Sequence, residues 1–83
     1  MKYPVFSYRD AKVGFGFPVV DQNEVSAIRG FSYAINGRDG LMNFSPSDFD
    51  LYKIGEFDTE KGTLDPCTPI LIVSGSSVFG AKA

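Results

Sequence analysis

The sequence predicts an α+β fold in which a small antiparallel sheet of two hairpins packs on one amphipathic helix. Residues 22–36 place apolar side chains at helical spacing, extended segments flank this stretch, and glycines mark the turns. A chain of 83 residues forms a single domain with a thin core, since a domain of this size buries only about 60% of its extended surface. One helix covers one face of such a sheet, and the other face is left to solvent or to a partner.

The first hairpin is predicted from residues 5–8 and 15–17. The polar segment between them ends in Gly14, which suits a hairpin connection. Phe15 and Phe17 stand two residues apart, so an extended strand would place both rings on one face. Pro18 has no N–H to donate, and this strand is therefore expected at a sheet edge.

The helix is predicted over residues 22–36. Asp21 is the expected N-cap, and Glu24 would reach back to complete a capping box. Asn36 followed by glycine is a natural C-cap. The apolar stripe consists of Val25, Ile28, Phe31 and Ile35. Arg29 lies away from the centre of this stripe and is expected to be available to solvent or to a ligand.

The second hairpin is predicted from residues 51–57 and a return strand that begins at residue 63. Residues 37–43 are expected to form a loop and residues 45–49 a short helical turn. Gly62 is expected to supply positive φ at the end of the hairpin loop. Two prolines break the return strand, residues 70–73 form one more strand or a docking segment, and residues 66–83 are expected as a flexible tail.

The residues present favour a binding protein over an enzyme. The chain has no histidine and one cysteine, Cys67, with no basic neighbour in sequence, so neither a nucleophile with its base nor a cofactor or metal site is expected. Phosphate-loop and dinucleotide motifs do not occur. No apolar run approaches the length of a membrane span, and the first residues lack a signal-peptide core, so a soluble protein is expected.

Charge and aromatic content indicate where a ligand would bind. The net charge is −2, but residues 1–38 carry five basic and three acidic side chains, whereas residues 39–83 carry three basic and seven acidic ones. The chain has eight Phe and four Tyr, more rings than a thin core needs. Some rings are therefore expected at the surface, where they could stack bases or contact a partner. The alternative is that Phe15 and Phe17 face the helix. The candidate nucleic-acid-binding residues are Arg9, Lys12, Phe15, Phe17, Arg29 and Arg38.

The order of several segments is similar to that of a known phage family. Residues 21–35 contain Ala-Ile-Arg-Gly-Phe, residues 46–49 read Pro-Ser-Asp-Phe, residues 51–58 read Leu-Tyr-Lys-Ile-Gly-Glu-Phe-Asp, and Lys61-Gly62 follows. Together they resemble the small nonstructural protein of gokushoviruses, which are microviruses of bacteria. The resemblance covers about residues 5–65. It implies a protein of the host cytoplasm, absent from the capsid, that binds DNA or is needed for synthesis of the viral single strand.

Two functions therefore remain open. In the first, the protein binds single-stranded DNA or the replication complex, acting as a homodimer or with a viral or host replication protein. In the second, it is a protein–protein adaptor or homodimeric module without nucleic-acid contact, docking through the uncovered sheet face or through the segment from Pro66. The acidic balance favours the second function, and the basic first half favours the first.

Overall fold

The computed structural model describes residues 1–38 and 40–80, which form a five-stranded antiparallel sheet with helices. The strands are β1 (Lys2–Asp10), β2 (Gly14–Phe15), β3 (Val19–Val20), β4 (Phe49–Asp58) and β5 (Thr63–Ser74). The helices are α1 (Glu24–Ile35), α2 (Leu41–Phe44) and α3 (Gly75–Val78), and a 3₁₀ helix spans Pro46–Asp48. The predicted α+β class, with a small antiparallel sheet packed on one amphipathic helix, is confirmed.

The sheet is built around β1 and β4, which pair along most of their length. β5 pairs with the other side of β4. β2 and β3 both pair with β1. β2 pairs near the end of β1, with Phe15 opposite Arg9, and β3 pairs near the middle of β1, with Val19 opposite Phe6. These two short strands form one interrupted edge. Pro18 lies in the interruption, as expected of a residue that cannot donate to a ladder.

The core lies between α1 and one face of the sheet. Its buried members are Phe6, Ala27, Phe31, Ile35, Phe49, Leu51 and Val78. The Tyr8 ring packs against Phe31 of α1, with ring centroids 5.1 Å apart, and Leu51 is the cross-strand partner of Tyr8. Because side chains alternate along a strand, the sequence neighbours of Tyr8 and Leu51 face away from α1.

The ends of α1 confirm one predicted cap and correct the other. Asn36 is the C-cap, as predicted. The N-cap is Asn23, whose side-chain oxygen accepts a hydrogen bond from the Ser26 N–H at 2.8 Å. Asp21 instead accepts from the N–H of Gln22 at 2.7 Å. Asparagine and aspartate cap about equally well, so the start of the helix depends on where the preceding chain leaves the sheet.

The second half of the chain is more regular than the sequence predicts. Gly62 has φ of 67°, as the hairpin loop requires, but β5 continues through both prolines to Ser74 with irregular register against β4. The prolines are tolerated because β5 is an edge strand. Residues 66–74 therefore belong to the sheet and not to a tail, and residues 81–83 lie outside the described part of the chain.

The end of the chain packs against α1. The Asn36 side chain donates to the carbonyl of Val78 at 3.0 Å and accepts from the N–H of Gly80 at 2.7 Å. Gly75 is buried so closely that a Cβ there would meet the Phe49 carbonyl oxygen at 2.7 Å and the Pro46 oxygen closer still. The predicted loop at 37–43 contains the short helix α2. In the described residues, no helix has the length and apolar character to cross a membrane.

Candidate functional site

The sheet face opposite α1 carries a cluster that we call the aromatic face, formed by Arg9, Phe15, Tyr52 and Leu71. Phe15 is the cross-strand partner of Arg9, and Tyr52 is the partner of Leu71. The Phe15 and Tyr52 rings meet edge to face, with centroids 5.3 Å apart and planes at 75°. The Arg9 guanidinium carbon lies 5.9 Å from the Phe15 centroid, within the range of a cation–π contact.

The local sequence explains how Phe15 reaches this cluster. Gly14 has φ of 119°, a conformation that closes the turn after β1 and that L side chains rarely adopt. The buried Ser7 hydroxyl donates to the Gly16 carbonyl at 2.9 Å, and the Gly16 N–H donates to the Tyr8 carbonyl at 2.8 Å. A Cβ at Gly16 would lie only 3.3 Å from that Tyr8 oxygen. These contacts hold the edge segment against β1 and so place Phe15 beside Arg9.

The aromatic face is open to solvent. Phe15 is 48% exposed and Leu71 is 54% exposed, and Tyr52 is partly buried. Contiguous exposed apolar surface of this kind marks an interaction site more often than single scattered residues do. Chemically, the face offers two ring surfaces and one guanidinium, which suits a planar, partly anionic ligand.

Carboxylates limit how positive the aromatic face is. Lys12, in the turn between β1 and β2, lies 3.6 Å from the Asp48 carboxylate. Asp50 is the cross-strand partner of Arg9 on β4. Lys12 is largely exposed, and exposed pairs of this kind contribute little and exchange readily with solvent and other anions. Arg9, over the Phe15 ring, and Lys12, in the adjoining turn, are therefore cations that an anionic ligand could recruit.

Phe17 lies apart from Phe15, contrary to the expectation of a shared face. It is 93% exposed and belongs to the interruption between β2 and β3, where strand alternation does not apply. It lines a cavity on the α1 side of the sheet. The alternative that both rings face the helix is wrong for Phe15, which packs with Tyr52 on the other face, whereas Phe17 lies on the helix side of the sheet but is exposed.

Arg29 and Arg38 are not brought to the aromatic face. Arg29 is exposed, as expected, but it stands on α1, which covers the opposite side of the sheet. Arg38 follows the end of α1 that is bonded to the α3 segment through Asn36. The structure thus brings Arg9 and Phe15 together, with Lys12 in the adjoining turn, and separates them from Phe17, Arg29 and Arg38.

Tyr52 is a member of the cluster that the sequence reasoning missed. It lies within a correctly predicted strand, and its alternation with Leu51 could have indicated a surface position. Nothing in the sequence indicates that Tyr52 would meet Phe15, because the contact requires β1 to pair with β4 as well as with β2.

The cavity beside Phe17 has a volume of about 150 Å³ and opens between α1 and the interrupted sheet edge. Its apolar walls include Phe6, Val19, Ala27 and Leu51. Tyr8 and Asp21 add polar groups to the lining. Burial, and to a lesser extent the nearby Asp21 carboxylate, raise the pKa of the Tyr8 hydroxyl above its ordinary value, so this hydroxyl is a neutral donor and acceptor at neutral pH.

Carboxylates gather at the far end of the sheet. Glu56 and Asp65 are cross-strand partners there, and Asp58 precedes the hairpin turn. Lys2 lies 3.9 Å from Asp65, and Lys53 lies 3.9 Å from Glu56. Within residues 1–38 and 40–80, these carboxylates do not form a group of three or more that could hold a metal ion. The acidic end is a poor surface for a polyanion.

Comparison with known proteins gives one match. The family model described as phage ORF5 protein matches residues 3–78 of the chain, which is nearly its whole length. No curated protein and no solved structure gives a significant match.

Proposed function

The chain belongs to the phage ORF5 protein family, and we propose that it is a nonstructural phage protein that binds single-stranded DNA during synthesis of the viral strand. It acts in the host cytoplasm, without catalysis, cofactor or metal, and the gokushovirus resemblance supports this assignment. The observation that carries the proposal is the uncovered cluster of Arg9, Phe15 and Tyr52 on the sheet face opposite α1.

The cluster provides the contacts that a single strand needs. Unpaired bases stack on exposed rings, and each such contact contributes about 1–3 kcal/mol. Phe15 and Tyr52 present two rings at an angle of 75°, so they would accept two bases that are not coplanar. Arg9 and Lys12 are placed to meet the adjoining phosphates. Two stacked bases and two cations correspond to modest affinity, with a dissociation constant on the order of tens of micromolar at low salt.

Fluorescence anisotropy with a labelled dT12 oligonucleotide at low salt tests this function. Phe15→Ala and Tyr52→Ala should each weaken binding by about 5- to 150-fold, because each removes one stacking surface. Tyr33→Ala is the matched control, since Tyr33 is an equally large ring, 82% exposed on α1, and should leave binding unchanged. Absence of binding at tens of micromolar protein, or equal losses in all three variants, would refute the proposal.

Self-association is a second candidate function, favoured by the outer strand β5. Leu64, Ile70 and Leu71 on β5 are each more than half exposed, and no strand within the described residues pairs with its outer edge. Unpaired edges with apolar side chains readily join a second chain. A homodimer or an adaptor for a viral or host replication protein would use this strand. Sedimentation velocity over a concentration series would reveal a dimer. Ile70→Lys should dissociate this dimer, whereas the control variant Tyr33→Ala should leave it intact.

A further inference from the structure

The cavity between α1 and the interrupted sheet edge lies on the opposite side of the sheet from the aromatic face, and the proposed function does not use it. Its volume is about 150 Å³. An apolar cavity of about this size in another protein admits one benzene molecule. The space therefore fits a single six-membered ring.

The walls of the cavity are apolar on most sides and polar at one. Phe6, Val19, Ala27 and Leu51 supply apolar surface, whereas Asp21 and the Tyr8 hydroxyl supply acceptors. One oxygen of Asp21 accepts from the Gln22 N–H at 2.7 Å, which leaves the second oxygen for another donor. A purely hydrocarbon ring would leave these polar groups desolvated, which costs free energy. An occupant that carries an amino group on its ring satisfies them.

The rim of the cavity carries an aromatic side chain. Phe17 is 93% exposed and stands between Gly16 and Pro18, outside the ladder of β2 and β3. An exposed ring at the entrance of a ring-sized cavity provides a stacking surface for the next base of a single strand. Gly30 of α1 also lines the cavity, and a Cβ there would lie 3.9 Å from the Tyr8 hydroxyl oxygen. The absence of a side chain at Gly30 therefore helps to keep the space open.

We propose that this cavity receives a cytosine base of single-stranded DNA, whose exocyclic amine donates to the Asp21 carboxylate. The proposal rests on the proposed function, because the base is delivered by a strand held elsewhere on the protein. Carboxylates accept from the N4 amine of cytosine, whereas thymine presents the O4 acceptor and a methyl group at the same position. Asp21 thus favours cytosine over thymine where the carboxylate faces position 4 of the base.

Anisotropy titrations with labelled dC12 and dT12 at 50 mM NaCl test the selection. The unmodified protein should bind dC12 about 5- to 10-fold more tightly than dT12, the range expected for one discriminating hydrogen bond. Asp21→Asn keeps the acceptor for Gln22 but supplies an amide donor towards O4, so the ratio should fall to about one or reverse. Equal affinity of the unmodified protein for dC12 and dT12 would overturn the cavity proposal while leaving the proposed function intact.

Gly30→Leu provides a second, steric test. Leucine is a better helix former than glycine, and Gly30 is exposed on α1, so the variant should fold while its side chain fills the entrance. It should lose the preference for dC12 and keep the affinity for dT12, which depends on Phe15 and Tyr52. An unchanged dC12 to dT12 ratio in a folded Gly30→Leu variant would refute the proposal. If Gly30→Leu instead alters only the sedimentation coefficient, the cavity holds a side chain of a second copy and the base assignment is wrong.

Discussion

Salt dependence gives the sharpest quantitative test of how the protein meets a single strand. Binding of a polyanion releases about 0.7 counterions per phosphate contact on a single strand, so the slope of log K against log salt counts the cations used. Two cations serve the aromatic face: Arg9, whose guanidinium stands over the Phe15 ring, and Lys12, in the turn that joins β1 to β2. Two contacts predict a slope of about −1.4.

This slope corresponds to a small loss of affinity. Between 50 and 200 mM salt, two contacts predict a decrease of about sevenfold, whereas engagement of all eight cations of the chain would predict a decrease of about 2,000-fold. Stacking on Phe15 and Tyr52 is apolar and does not contribute to the slope. The protein should therefore lose less than about tenfold in affinity between 50 mM and physiological salt.

Titrations of labelled dT12 at four NaCl concentrations measure the slope directly. Arg9→Gln should reduce its magnitude by about 0.7, while Lys61→Gln, in the hairpin turn at the acidic end of the sheet, should leave it unchanged. A slope steeper than about −3, which corresponds to more than four contacts, would mean that cations outside the aromatic face dominate. An unchanged slope in Arg9→Gln would mean that the guanidinium does not meet phosphate.

Two further predictions concern stability. Gly75→Ala forces a Cβ against the Phe49 carbonyl oxygen and should lower the free energy of unfolding in urea by at least about 1–3 kcal/mol. At Gly40 an added Cβ would come no closer than 3.9 Å, to the Met42 nitrogen, so Gly40→Ala should change the free energy of unfolding by less than about 1 kcal/mol. Equal effects would refute the close packing at Gly75. Two backbone N–H groups of the hairpin turn bond the Asp58 carboxylate at 2.9 and 3.2 Å and lower its pKa. Because the unfolded chain then binds this proton more tightly, stability should fall as the pH drops from the ordinary aspartate range through the folded pKa. The melting temperature of Asp58→Asn should depend less on pH in that acid range, and an identical acid profile would show that these bonds do not hold the carboxylate.

The sequence predicted the fold class and the elements whose signals are local. Apolar spacing placed α1 to within two residues of its start, and glycine chemistry placed the positive φ of Gly62. Pro18 correctly indicated a sheet edge. The strand predicted at residues 70–73 lies within β5, but no tail begins at residue 66. Prolines that terminate a central strand are tolerated at an edge, and the sequence does not state which strand is outermost.

For the candidate site too, the prediction was correct for residues that are close in sequence and joined by a turn, and wrong where strand interruption or helix placement decides the position. Arg9 and Phe15 are close in sequence and joined by a short turn, so local reasoning was sufficient to group them. Phe17 separated from Phe15 because the edge strand is interrupted after one ring, and Arg29 separated because α1 covers the opposite face.

The sequence by itself determined that a lone amphipathic helix would cover one side of a small antiparallel sheet, because periodicity, turn residues and capping groups act over a few neighbouring positions. The tertiary structure alone decided that Tyr52 stands beside Phe15, that a ring-sized cavity opens next to Asp21, and that residues 66–74 complete the sheet. These outcomes depend on strand order and on pairing between distant segments, which local preferences do not specify.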